Sequence, residues 1–190
     1  MRILLNYLLS WRVIENSMIK KYLGNCFILI LPILIWNILL TDHLPPAYQP
    51  EVFSKDIPSF LMYGEQISRI IIFLLAFLMP LHISRSNKGQ MLGLYIYTVG
   101  VLLYFASWIM LIGLPNSAWS NSMVGFSAPA ITPALWLAGI GLIGNSFYFN
   151  LPFRRWPFMF ISAIFLFFHI SHTIGVYYTI HSWSCNDQTG

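Results

Sequence analysis

Residues 23–41 read LGNCFILILPILIWNILLT. The stretch holds no charged residue, and at 1.5 Å per residue it makes a helix about 28 Å long, close to the hydrocarbon thickness of a bilayer. It is either the buried centre of a large soluble protein or a membrane span, and the rest of the chain decides which. Of the 190 residues, 57% are hydrophobic and 8% are charged, with a mean hydropathy of +0.69. A soluble domain carries about 25% charged residues. So few charges cannot cover a water-facing surface, and lipid must be the chain's main solvent.

Working outward from 23–41, four more stretches are long and apolar enough to cross a bilayer: 60–83, 91–113, 126–145 and 157–180. The predicted fold class is all-α, a polytopic integral membrane protein with five transmembrane helices. Pro129 and Pro133 interrupt the start of the fourth span, which is expected to begin as a kinked or re-entrant segment. Ahead of the first span, Ile3, Leu4, Tyr7, Leu8, Trp11, Ile14 and Met18 share one broad helical face, with Arg2, Asn6, Ser10, Ser17 and Lys20 opposite. That pattern predicts an N-terminal amphipathic interfacial helix. It does not fit a signal peptide, because the apolar core is short and no small-residue cleavage site follows. The expected organisation is a cytoplasmic amphipathic helix over 1–21, a transmembrane domain over 22–181 and an outer tail over 182–190.

The basic residues set the orientation. Arg2, Arg12, Lys20 and Lys21 precede the first span, and loop 42–59 holds only Lys55 beside Asp42, Glu51 and Asp56. Loop 84–90 has Arg85 and Lys88, loop 114–125 has neither Lys nor Arg, loop 146–156 has Arg154 and Arg155, and the C-terminal tail has none. This alternation predicts the N-terminus inside and the C-terminus outside, which requires an odd number of spans. Charge and hydropathy thus agree on five. Trp119, Trp183, Trp36 and Trp108 fall at predicted outer span ends, and Trp11 and Trp156 at inner ones, as expected for headgroup anchors. The basic balance, with pI ≈ 9.2, therefore reads as a topology signal, and nucleic acid is excluded as a partner. His82, Arg85, Lys88, Arg154 and Arg155 form an inner basic patch suited to anionic lipid. Short loops, no targeting segment and no N-x-S/T sequon fit a bacterial cytoplasmic (inner) membrane.

The two cysteines, Cys26 and Cys185, fall on opposite predicted sides, so no disulfide between them is expected. Gly93, Gly100 and Ser107 in the third span form a small-residue seam, Gly89 and Gly93 make a G-x-x-x-G, and the fourth span holds Gly139, Gly141 and Gly144. Small residues allow close helix approach in lipid. The seam is expected to pack within the chain, with a homo-oligomer or a larger membrane complex as the alternative use. Five spans without an internal repeat do not suggest an inverted-repeat transporter.

Charge at membrane depth is costly and usually faces protein or water. The second span begins SFLMYGEQISRIII, with Glu65 and Arg69 one turn apart on the same face. The fifth contains FFHISHTIGVYYTIH (167–181), with His169 and His172 three apart. Counting helical rise from the outer boundary puts Glu65 at about 7 Å, Arg69 at about 13 Å, His172 at about 12 Å and His169 at about 16 Å. Asn37 of the first span falls at about 6 Å, and Tyr104 and Ser107 of the third reach the same half. Glu65, Arg69, His169, His172 and Asn37 are the candidate ligand or proton-relay site, with a structural ion pair and helix-to-helix hydrogen bonds as the plainer reading. His181 sits at the boundary. The loop DHLPPAYQPEVFSKDIP (42–58) is proline-rich and acidic, and is expected to form a strap over the outer mouth of this cluster.

No zinc, nucleotide or hydrolase motif is present. Ser127 lies in GFSAP, which lacks the nucleophile-elbow pattern. A metal is disfavoured because Arg69 would compete for Glu65. A haem is disfavoured because His169 and His172 leave one helix and His82 lies at the other end of the membrane. No cofactor can be named. The expected function is a small multi-pass protein that binds or moves a small solute or protons through an outer-facing polar cavity. An intramembrane enzyme acting on lipid or a redox carrier is the alternative, and a non-catalytic accessory subunit the third.

Overall fold

A computed structural model describes residues 24–149 and 155–186, with side chains as far as residue 180. The amphipathic helix expected over 1–21 lies outside the described residues. Apart from one isolated bridge between Asn25 and Pro80, every regular element described is helical. They are α1 (Leu31–Leu40), α2 (Pro50–Phe53), α3 (Ser59–Leu78), α4 (Lys88–Gly113), α5 (Met123–Ile131), α6 (Pro133–Ile143) and α7 (Trp156–Asn186). Tight 3-10 turns over Cys26–Leu29 and Thr41–His43 extend α1 at both ends. Five rods are long and apolar enough to cross a membrane: Cys26–His43, Ser59–Leu78, Lys88–Gly113, Met123–Ile143 and Trp156–Ile180. Their outer faces carry Ile38, Tyr63, Leu102, Phe160 and Phe167, all largely exposed. Water would penalise that surface and hydrocarbon would not. The chain is an integral membrane protein whose described residues form an all-helical bundle.

Two element ends differ from the sequence expectation. The second span was expected to run to 83, but α3 stops at Leu78, with Met79 extended at φ −97° and ψ 115°. Met79 precedes Pro80, whose ring disfavours a helical residue before it. The freed backbone pairs with the start of the first rod: the Cys26 N–H donates to Met79 O at 2.8 Å and the Leu81 N–H to Gly24 O at 2.9 Å. At the other end of the chain, the tail expected from 182 continues as helix to Asn186.

The fourth rod is kinked. α5 ends at Ile131, Thr132 joins it to α6, and Pro133 takes the first position of α6, where no intrahelical N–H is needed. The Thr132 hydroxyl donates to Ala128 O at 2.9 Å. This rod is the most enclosed of the five, and α6 packs along α4 over the most extensive helix-to-helix contact. Glycines make that approach feasible. A Cβ on Gly100 would come 2.6 Å from Trp136 N, and one on Gly139 would come 2.5 Å from Tyr97 N. The third-span seam therefore meets the fourth span within the chain. α3 pairs with α7, where Gly64 meets the ring of Phe168.

α1 is the exception, since its backbone hardly approaches the other helices. Large side chains bridge the distance instead. Trp36 stacks on Phe105 at 4.1 Å, Tyr97 Oη donates to Leu29 O at 2.7 Å, and Tyr104 Oη donates to Asn37 Oδ1 at 2.6 Å. A helix held off at side-chain length leaves space behind it.

Candidate functional site

That space is a cavity of about 640 Å3 bounded by α1, the strap between α1 and α3, and helices α3 to α7. This lies within the roughly 300–1,000 Å3 typical of small-molecule sites. Most of its wall is apolar or aromatic, including Ile33, Phe73, Trp108, Trp136 and Phe165. The polar groups gather on the side formed by α3 and α7.

Glu65 is their centre. It is 7% exposed on α3. Its Oε1 accepts from Arg69 one helical turn on, and its Oε2 lies 2.8 Å from His172 Nδ1. The opposite nitrogen of that ring, Nε2, lies 3.0 Å from the backbone carbonyl of Phe53 in the strap. His169 Nδ1 stands 3.2 Å from Glu65 Oε1, within ion-pair distance but outside hydrogen-bonding geometry. Arg69 is the most open member, with 38% of its side chain exposed, and its guanidinium sits 5.8 Å from the centre of the Phe165 ring on α7. Beyond the bond to Glu65, its N–H groups meet no acceptor among the described residues.

Glu65, Arg69, His169 and His172 therefore come together. Asn37 faces the same cavity but belongs to a separate pair with Tyr104. The strap lies over the cluster. Leu44, Tyr48, Pro50 and Phe53 line the cavity. Tyr48 stacks on Phe126 of α5 at 4.6 Å and donates to its carbonyl at 2.8 Å. Burial pushes the Tyr48 phenol above its ordinary pKa, so it stays a donor across the physiological range.

Several residues depart from their expected roles. Of Trp36 and Trp108, expected as headgroup anchors, Trp108 is 6% exposed on the cavity wall and Trp36 is half-buried against Phe105, and neither indole N–H has a partner among the described residues. Trp136, unassigned from sequence, joins them with a third unpaired indole N–H. Ser127 is buried and its hydroxyl unpaired, while both histidines engage Glu65 rather than a serine. The carbonyl of Phe53 left no trace in the sequence, because a backbone acceptor is carried by every residue alike. Among the described residues, no group of three His, Cys, Asp or Glu side chains is arranged to hold a metal.

No family model matches this chain, and no curated protein or solved structure is detectably similar to it.

Proposed function

We propose that this protein binds a small solute inside the membrane, in the cavity beneath the strap. The supporting observation is the buried Glu65, tied to Arg69 and His172 on the wall of a space large enough for a ligand. Ionisable groups at membrane depth are costly, and they are found where a polar pathway or ligand needs them. Arg69 and His169, backed by Glu65 and His172, face the solute's polar end, Asn37 and Tyr104 form a second polar point, and the aromatic wall takes its apolar part. In this reading the N-terminus is cytoplasmic on an interfacial helix and the C-terminus outside. The strap and cavity mouth then face outward, and the membrane is a bacterial inner one.

A second reading shares the same atoms. His172 touches both Glu65 and the strap, so a proton gained or lost at that pair changes the charge on the ring that holds Phe53 and with it the strength of that bond. This favours proton-linked movement of the solute over a purely structural role.

The test is native mass spectrometry of the protein purified in mild detergent, beside Ile33→Phe. Ile33 is 3% exposed and faces the cavity from the loosely held α1, so the larger ring fills space without crowding a tight seam. A small molecule retained at stoichiometric occupancy by the natural protein and lost from the variant is the expected result. Identical spectra free of any retained molecule, together with no thermal stabilisation by any solute tried, would contradict the reading.

A further inference from the structure

The charge class of the solute follows from counting protons around His172. The Phe53 carbonyl can only accept, so Nε2 must carry hydrogen. On the other side Nδ1 stands 2.8 Å from a carboxylate oxygen. Two lone pairs at that distance repel, so a proton lies between them, on the ring or on Glu65. In the first arrangement Arg69 and His172 are positive and Glu65 negative. In the second, Arg69 is positive and the other two are neutral. Both leave one net positive charge, because arginine stays protonated in proteins.

Nothing else on the wall compensates it. The other titratable groups facing the cavity are His169, Tyr48 and Tyr104, and no second carboxylate lines it among the described residues. Arg69, the most open member of the cluster, presents that charge on a largely apolar wall, where a charge-assisted hydrogen bond to an anion is stronger than one to a neutral group. The open donors have the matching sense. Arg69 lines the cavity, and apart from the bond to Glu65 its N–H groups have no acceptor among the described residues.

Resting on the ligand-binding reading above, we infer that the solute is an amphiphilic monoanion. A single carboxylate or phosphate-like head is held by Arg69 beside the histidines, and an apolar body lies against Trp108, Trp136 and Phe165. Glu65 and His172 do not touch the head in this arrangement. They fix Arg69 and keep the local charge positive.

Three probes with one apolar body and different heads separate the claims: pyrenebutyrate, pyrenebutanol and pyrenebutylammonium. Energy transfer from the wall tryptophans to pyrene reads binding, with Ile33→Phe in the same detergent giving the micelle background. The expected result is saturable transfer with pyrenebutyrate, about tenfold or more tighter than with the alcohol, as one charge-assisted hydrogen bond supplies. Arg69→Gln should erase the preference while still binding the alcohol, and Arg69→Lys should keep it. Displacement by decanoate would mark a free acid as the source of the anion, and displacement only by phosphatidylglycerol a lipid head. Both uphold the charge class. Equal binding of the three probes, or tightest binding of the ammonium, would overturn the inference while leaving the cavity a ligand site. No saturable transfer with any probe would remove the binding reading itself.

Discussion

At the scale of single residues, the unusual feature is a carboxylate nearly sealed from solvent in an apolar bundle. Its partners decide what each replacement does. In Glu65→Gln, the amide oxygen still accepts from Arg69, and the amide N–H can donate to Nδ1 of a neutral His172, whose Nε2–H keeps its bond to Phe53. The network survives, so the expected loss of stability is about 1 kcal/mol or less. Glu65→Leu leaves Arg69 and His172 without that partner, at about 1–3 kcal/mol for each orphaned group. Unfolding midpoints in detergent should rank the natural protein, then Gln, then Leu, and equal midpoints for the two variants would refute the hydrogen-bond assignment. The meeting of Glu65, Arg69, His169 and His172 was legible because helical rise turns residue number into depth. Depth does not show which way a helix is turned. Asn37 matched Glu65 in depth yet faces Tyr104, and Trp108 matched a headgroup position yet points inward.

At the scale of elements, a helix in lipid gains nothing from burying apolar surface against another, so contact geometry sets its neighbours. Gly93 and Gly100 let α4 lie along α6, and the broken rod of α5 and α6 becomes the most enclosed element despite two prolines. Backbone bonds run through the break, from the Thr132 N–H to Ala128 O and from the Leu135 N–H to Thr132 O. Gly100→Leu would drive a side chain into the backbone at Trp136. An overpacking cost of about 1–3 kcal/mol is expected, read as a lower thermal midpoint. The same change at Gly113, whose Cβ position is open, should have little effect. Similar losses at both positions would argue against the seam. The prolines announced the kink from the sequence. The early end of α3 was also written there, in Met79–Pro80, but hydropathy runs on through Leu81 and Ile83 and hid it.

At the scale of the whole molecule, five apolar rods enclose a cavity because the first stands away from the others. The strap closes one end, and the pairing of Gly24–Cys26 with Met79–Leu81 ties the first two rods at the other. In the proposed orientation, which rests on the distribution of Lys and Arg, those ends lie on opposite faces of the membrane. In a chain carrying Cys26→Ala and Cys185→Ser, a cysteine placed at Ser54 should react with a membrane-impermeant maleimide on intact cells. One placed at Ser86 should react only after lysis. The reverse pattern would invert the orientation and turn the cavity mouth inward, while leaving the bundle unchanged. The number of spans was legible because apolar length and loop charge report on it independently. The cavity was not, since it depends on the distance between helices, which no periodicity records.

Everything proposed for this protein depends on Glu65 and His172 meeting across α3 and α7. The measurement that tests this most directly is a double-mutant cycle: the natural protein, Glu65→Ala, His172→Ala and the double variant, each unfolded reversibly in detergent. Buried partners in one network should be non-additive by about 1–3 kcal/mol, with the double variant losing less than the sum of the single ones. Additivity within about 0.5 kcal/mol, the behaviour of residues that do not touch, would contradict the account.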